Sequence, residues 1–83
     1  PLQTKKLFSA TDGVLSIQIN AGSQLKEHVT NVPAILVCVI GEVTFENEKG
    51  SKEILIPGDY VNIETNVKHW VTAANDSNLL LIK

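Results

Sequence analysis

The sequence has no Arg and no Met, one Cys, and four aromatic residues in all: one Trp, one Tyr and two Phe. Arg is the usual bidentate reader of phosphate, carboxylate and guanine. Its absence, with a net charge of −2 and no basic stripe, excludes nucleic acid as the expected partner. The single cysteine, Cys38, allows no internal disulfide, so nothing demands an oxidising compartment. No stretch has the basic, apolar, small-residue order of a signal peptide, and the expected location is the cytoplasm. Long apolar runs are missing too. The longest, Ala34 to Ile40, falls far short of the ~20 residues that a helix needs to cross a bilayer. Charged residues make up 19% of the chain against 43% hydrophobic, which is not the composition of a disordered segment. The chain opens on Pro1 without a Met, so further residues upstream of Pro1 are expected.

What remains is a chain rich in Val, Ile and Thr, whose stiff β-branched side chains favour strands. Its 83 residues suit one domain spanning 1–83. Turn signals recur at Asp12-Gly13, Asn20 to Ser23, Asn31 to Pro33, Glu48 to Ser51, Pro57 to Asp59, Asn66 and Asn75 to Asn78. Spacings of roughly 8–12 residues between turns predict an all-β sandwich or barrel. The stretches between them alternate as half-buried strands do. Leu15, Ile17 and Ile19 share one face; Lys26, His28 and Thr30 share another; Ala34, Leu36, Cys38 and Ile40 a third. Further strands are predicted over Val43–Glu46, Lys52–Ile56, Tyr60–Ile63, Lys68–Ala73 and Asn78–Ile82, with Lys5–Ala10 as a candidate extra strand. The total is eight or nine.

The two histidines, His28 and His69, each follow a glycine at a fixed distance. Gly22, His28 and Gly41 keep the spacing of the first sequence motif of the cupin superfamily, and Gly58 and His69 that of the second. The chain therefore resembles the cupins, specifically the small single-domain conserved-barrel (RmlC-like) type, with motif 1 at about 22–41 and motif 2 at about 58–73. The resemblance covers most of the chain, Leu15 to Ile82. It implies a small double-stranded β-helix, the cupin jelly-roll barrel. The ligand set departs from the family's. Thr30 and Ala34 stand at the second His and the Glu of motif 1, and Glu64, Asn66 and Ala73 at the Pro, Gly and Asn of motif 2.

A jelly roll closes its strands around a cavity, and side chains of one parity point inward. Placed on that frame, His28, Thr30, Leu36, Val61, Ile63, His69 and Val71 would line one pocket, largely apolar with two imidazoles at one end. That is the make-up of a small-molecule site. His28 and His69 are also the only metal ligands that the resemblance leaves, an incomplete set suited at most to a weakly held divalent ion. Glu27 has the wrong parity to complete it, and Glu64 falls in a predicted turn. The expected function is small-molecule binding with a degenerate metal site. The alternatives are a metal-dependent enzyme of dioxygenase or isomerase type using both histidines, a metal-free proton-transfer enzyme, and a non-catalytic sensory or interaction module. So small a domain buries only ~60–65% of its unfolded surface, and the expected assembly is a homodimer. Cys38 reads as a packed core thiol. Trp70, opposite in parity to His69, reads either as core packing or as a dimer contact. Asp59 reads as a turn residue, and the hairpin tip with Glu46, Glu48, Lys49, Lys52 and Glu53 as a solvated turn.

Overall fold

A computed structural model describes residues 2–6 and 13–83, with residues 2–6 and His28 described through their backbone. Nine strands are found among the described residues, and no helix: β1 (Leu2–Lys6), β2 (Val14–Ile19), β3 (Gln24–His28), β4 (Ala34–Ile40), β5 (Val43–Asn47), β6 (Lys52–Leu55), β7 (Tyr60–Ile63), β8 (His69–Ala73) and β9 (Ser77–Ile82). They form two antiparallel sheets. One has five strands in the order β1-β2-β9-β4-β7, the other four in the order β3-β8-β5-β6. This is the predicted all-β jelly roll. The N-terminal strand lies earlier than the predicted Lys5–Ala10, whose later part, residues 7–10, falls outside the described residues.

Alternation places the core between the sheets. Ile17 and Ile19 of β2, Ala34, Leu36 and Cys38 of β4, Ile63 of β7 and Leu79 and Leu81 of β9 point in from one side. Val43 and Phe45 of β5, Leu55 of β6 and Val71 and Ala73 of β8 meet them from the other. Cys38 is fully buried. Its burial and the charge of Asp59 push its thiol above the usual range, so it sits in the core as a neutral group.

Two predicted faces are corrected. Ile40 does not continue the inward row of Ala34, Leu36 and Cys38; it is 62% exposed. The pairing of β4 with β9 shifts register between Cys38 and Ile40, and this irregularity turns the strand end outward. Lys26 and Thr30 likewise do not share a face, since Lys26 is exposed and Thr30 buried. On β3, Leu25 pairs with Val71 and His28 with His69, so three residue steps on β3 oppose two on β8. The extra residue is a bulge at Lys26–Glu27. It brings Leu25 into contact with the core.

Two backbone positions show why the motif spacing survives. Gly41 has φ +97°, and a Cβ there would meet Ser77 Oγ and lie 2.5 Å from the Asp76 carbonyl oxygen. Only glycine fits. Asn66, which stands where the second motif has glycine, adopts φ +60°. Asn is among the few L-residues that tolerate the left-handed region, so the turn is kept without the glycine.

Candidate functional site

The site grows from the end of β8. The His69 imidazole points inward and is 2% exposed. Its backbone is opposite Asn47 of β5, which makes Phe45 the diagonal neighbour on the same face. The two rings stack, with centroids 5.7 Å apart and planes 25° from parallel. Nδ1 lies 3.4 Å from the Val67 carbonyl oxygen, a long contact. With the proton on Nδ1 this is a donor contact, and the Nε2 lone pair then faces the other way.

The segment before His69 is held from both sides. Glu48 N–H donates to the Lys68 carbonyl at 2.9 Å, and Lys68 N–H donates to Glu48 Oε2 at 2.7 Å. The β5–β6 hairpin tip is an exposed turn, as expected. It also grips the residue next to His69 through Glu48, and Lys49 Nζ reaches the Glu64 carboxylate at 2.7 Å. On the other side, Asn66 N–H donates to the Thr30 carbonyl at 2.7 Å, tying the segment after β3 to the one before β8. The two motifs thus meet at one end of the sandwich.

His28 stands directly opposite His69 in the β3–β8 register. Cross-strand partners have Cα atoms about 4.5–5.5 Å apart, so the bulge at Lys26–Glu27 sets the two histidine positions side by side. Thr30 is buried, and its hydroxyl donates to the Val32 carbonyl at 2.8 Å. Its proton is therefore engaged within its own turn. Leu36 and Val61 are register partners, as are Ala34 and Ile63. Leu36, Ile63 and Val71 belong to the core at 2%, 4% and 0% exposure, and Val61 packs against it partly buried.

The carboxylates stand elsewhere. Glu64 is exposed and paired with Lys49. Glu27 is exposed and lines a hollow on the outer face beside Trp70. Among the described residues no group of three or more His, Cys, Asp and Glu side chains could hold a metal ion. Asp59 fulfils its expected role, with Oδ2 accepting from the Ile56 N–H at 3.1 Å across the turn. Trp70 is half-buried on the outer face of the four-stranded sheet rather than in the core. Tyr60 is 60% exposed on the outer face of the other sheet.

Sequence reasoning missed the Phe45 ring, the Glu48 grip on Lys68 and the bulge. Phe45 was visible as an apolar residue on β5, but which inward residue it would touch depended on a pairing register that spacing does not supply.

No family model matches the sequence, and no curated protein is similar to it. Solved structures are. A cupin superfamily protein from Desulfitobacterium hafniense superposes with a TM-score of 0.89 at 16% identity, over 100% of this chain and 76% of its own. A conserved protein of unknown function from Streptococcus pyogenes gives 0.87 at 14% identity, over 99% and 72%. A cupin-like protein from Thermotoga maritima gives 0.83 at 22% identity, over 99% and 68%. With two antiparallel sheets, no helix among the described residues and these neighbours, the fold of this chain is the cupin jelly roll.

Proposed function

We propose that this cupin binds a small organic molecule at the end of the sandwich where the two motifs meet, with His28 and His69 as its polar contacts and no strongly held metal. One observation carries the reading. His69 is buried against Phe45 and opposite His28, while the two acidic residues nearest the motif histidines in sequence, Glu27 and Glu64, face away to solvent. Two imidazoles without a carboxylate make a poor metal set. They make a good recognition pair, because a neutral imidazole offers one donor and one acceptor. Partly buried Val61 supplies the apolar side, with Thr30 at its edge and the core residues Leu36, Ile63 and Val71 packed behind it.

The reading is tested in two steps. Calorimetry with zinc, nickel, manganese, iron(II) and copper is expected to show no micromolar binding. A thermal-shift screen with a library of small organic acids and alcohols is expected to contain a stabilising member. At about ten times its Kd such a ligand adds about 1.4 kcal/mol, or a rise of about 6–11 °C in Tm for a domain of this size, and the rise is lost in His69→Gln. One-to-one micromolar zinc binding that vanishes in His28→Ala would establish the metal reading instead. A library without a stabilising member would remove this one.

The expected partner is a second copy, and the outer face of the five-stranded sheet is where it fits. Ser16, Leu80, Val37 and Tyr60 lie side by side across β2, β9, β4 and β7, and Val14, Ile82, Ile35 and Asn62 form the adjacent row. None of these is charged, so two copies carrying −2 each can meet here without like charges opposing. The boundary is polar, since Lys5 of β1 is the register partner of Ser16. The two rows cover roughly 19 × 13 Å by strand spacing and rise, less than a standard interface needs, so the association expected here is weak.

A further inference from the structure

Directly behind His69, on the other face of β8, Trp70 lies beneath a solvent-open hollow of about 350 Å³ lined by Gln24, Lys26, Glu27 and the indole itself. The hollow owes its shape to the bulge. With Leu25 opposite Val71 and His28 opposite His69, both Lys26 and Glu27 fall opposite the single residue Trp70. Bulges often re-aim side chains beside binding sites. Here the bulge sets a cation and a carboxylate at one rim of an aromatic plate.

We propose that this hollow is a saccharide site, with the indole stacked under a pyranose ring and Gln24, Lys26 and Glu27 bonded to its hydroxyls. The lining selects the ligand class. Among the described lining residues the apolar one is Trp70 and the other three are polar, so a flat heteroaromatic ligand would find no second apolar wall among them. An anion would face Glu27, and a cation would face Lys26. A sugar ring has what the hollow offers: a face of C–H groups for the indole, and an equatorial rim of hydroxyls that both donate and accept. The Gln24 Nε2 makes a long contact with Thr72 Oγ1 at 3.4 Å, an orientation that turns its amide oxygen outward as an acceptor. A volume near 350 Å³ is at the low end for ligand pockets and suits one or two rings. The site lies on the opposite face of β8 from the histidine pocket, so it stands independently of the function proposed there.

Trp70 is the only Trp in the chain and therefore its own reporter. The full 83-residue protein is titrated with methyl β-D-glucopyranoside, methyl β-D-galactopyranoside, methyl α-D-mannopyranoside and cellobiose while indole emission is recorded. At least one is expected to give a saturable change, half complete at about 1–10 mM. Gln24→Ala is expected to weaken that ligand about 2- to 12-fold. Trp70→Ala, folded by circular dichroism, is expected to lose the saturation-transfer NMR signal of the same ligand. The proposal falls if no sugar saturates, or if Trp70→Ala keeps the NMR signal. It also falls if sodium phosphate produces the saturable change, which would mark an anion site. Emission that shifts with protein concentration alone would mean that a second copy covers Trp70, and would overturn it as well.

Discussion

The two sheets share one core but turn different surfaces outward. Behind the five-stranded sheet, β4 and β9 are apolar on both faces. Leu79 and Leu81 point into the core, while Leu80 and Ile82 point out beside Val37 and Ile35. Behind the four-stranded sheet, the corresponding rows are Gln24, Thr72, Thr44 and Ile54, and Trp70, Glu46 and Lys52. An antiparallel sheet with one face in water reads as a clean alternation of apolar and polar residues. The four-stranded sheet nearly does; the five-stranded one breaks the pattern at its central strands. The difference teaches that burial inside this sandwich and apolar character outside it are separate facts. The first stabilises the fold, and the second calls for something to cover it.

Adjacent residues on β9 give the sharpest way to break that distinction. Leu79 is fully buried and Leu80 half-buried on the outer face. Leu79→Ala is expected to cost ~2–5 kcal/mol, a large part of the roughly 4–12 kcal/mol expected for 83 residues. Leu80→Ala, measured by urea denaturation at a concentration where the protein is monomeric, is expected to cost less than half as much. Equal losses would mean that the outer face is as enclosed within one chain as the inner one.

Much of the inner face was legible in the sequence. Ala34–Ile40 and Tyr60–Ile63 are bounded as predicted because turn residues flank both. Gly41 announced a backbone position that admits nothing else. The misplaced side chains trace to two irregularities, at Lys26–Glu27 and between Cys38 and Ile40. A bulge inserts a residue without a fixed signature, and each residue after it changes face. Strict alternation therefore put Lys26 with Thr30 and Ile40 with Cys38. The Phe45–His69 stack was hidden for another reason: it joins strands whose register is set by the whole sheet. The Glu48 grip on Lys68 joins two loops, and loop-to-loop contacts leave no period in a sequence.

The outer faces themselves can be set against each other by charge. Leu80→Lys places an ammonium at the centre of the uncharged face. Across a two-fold axis it would meet its own copy, so the dimer is expected to weaken at least about 100-fold, the scale of a buried like-charge clash of a few kcal/mol. Thr72→Lys makes the same change on the four-stranded sheet and is expected to leave association unaltered. Sedimentation equilibrium from micromolar to millimolar protein reads both. A wild-type chain that stays monomeric throughout would assign the face to some other cover, and dissociation by Thr72→Lys would move the interface to the other sheet.

The smallest effect is expected from the charges at the rim of the four-stranded sheet. Lys49 and Glu64 make a short contact at 2.7 Å, but their side chains are 59% and 56% exposed. Water screens such a pair, and ordering two long side chains offsets most of the attraction. Glu64 raises the Lys49 pKa through its hydrogen bond and charge, so the ammonium is present at neutral pH and is lost as pH climbs through the raised value. Lys49→Ala is therefore expected to leave the melting curve at neutral pH unchanged within error, in low and high salt alike. Glu48→Ala should be felt more, because its Oε2 accepts the Lys68 N–H beside the buried His69. If Lys49→Ala instead destabilises as much as Glu48→Ala, the hairpin tip is held by its charges rather than by its grip on the Lys68 backbone, and the polar side of the molecule contributes to the fold as well as to its surface.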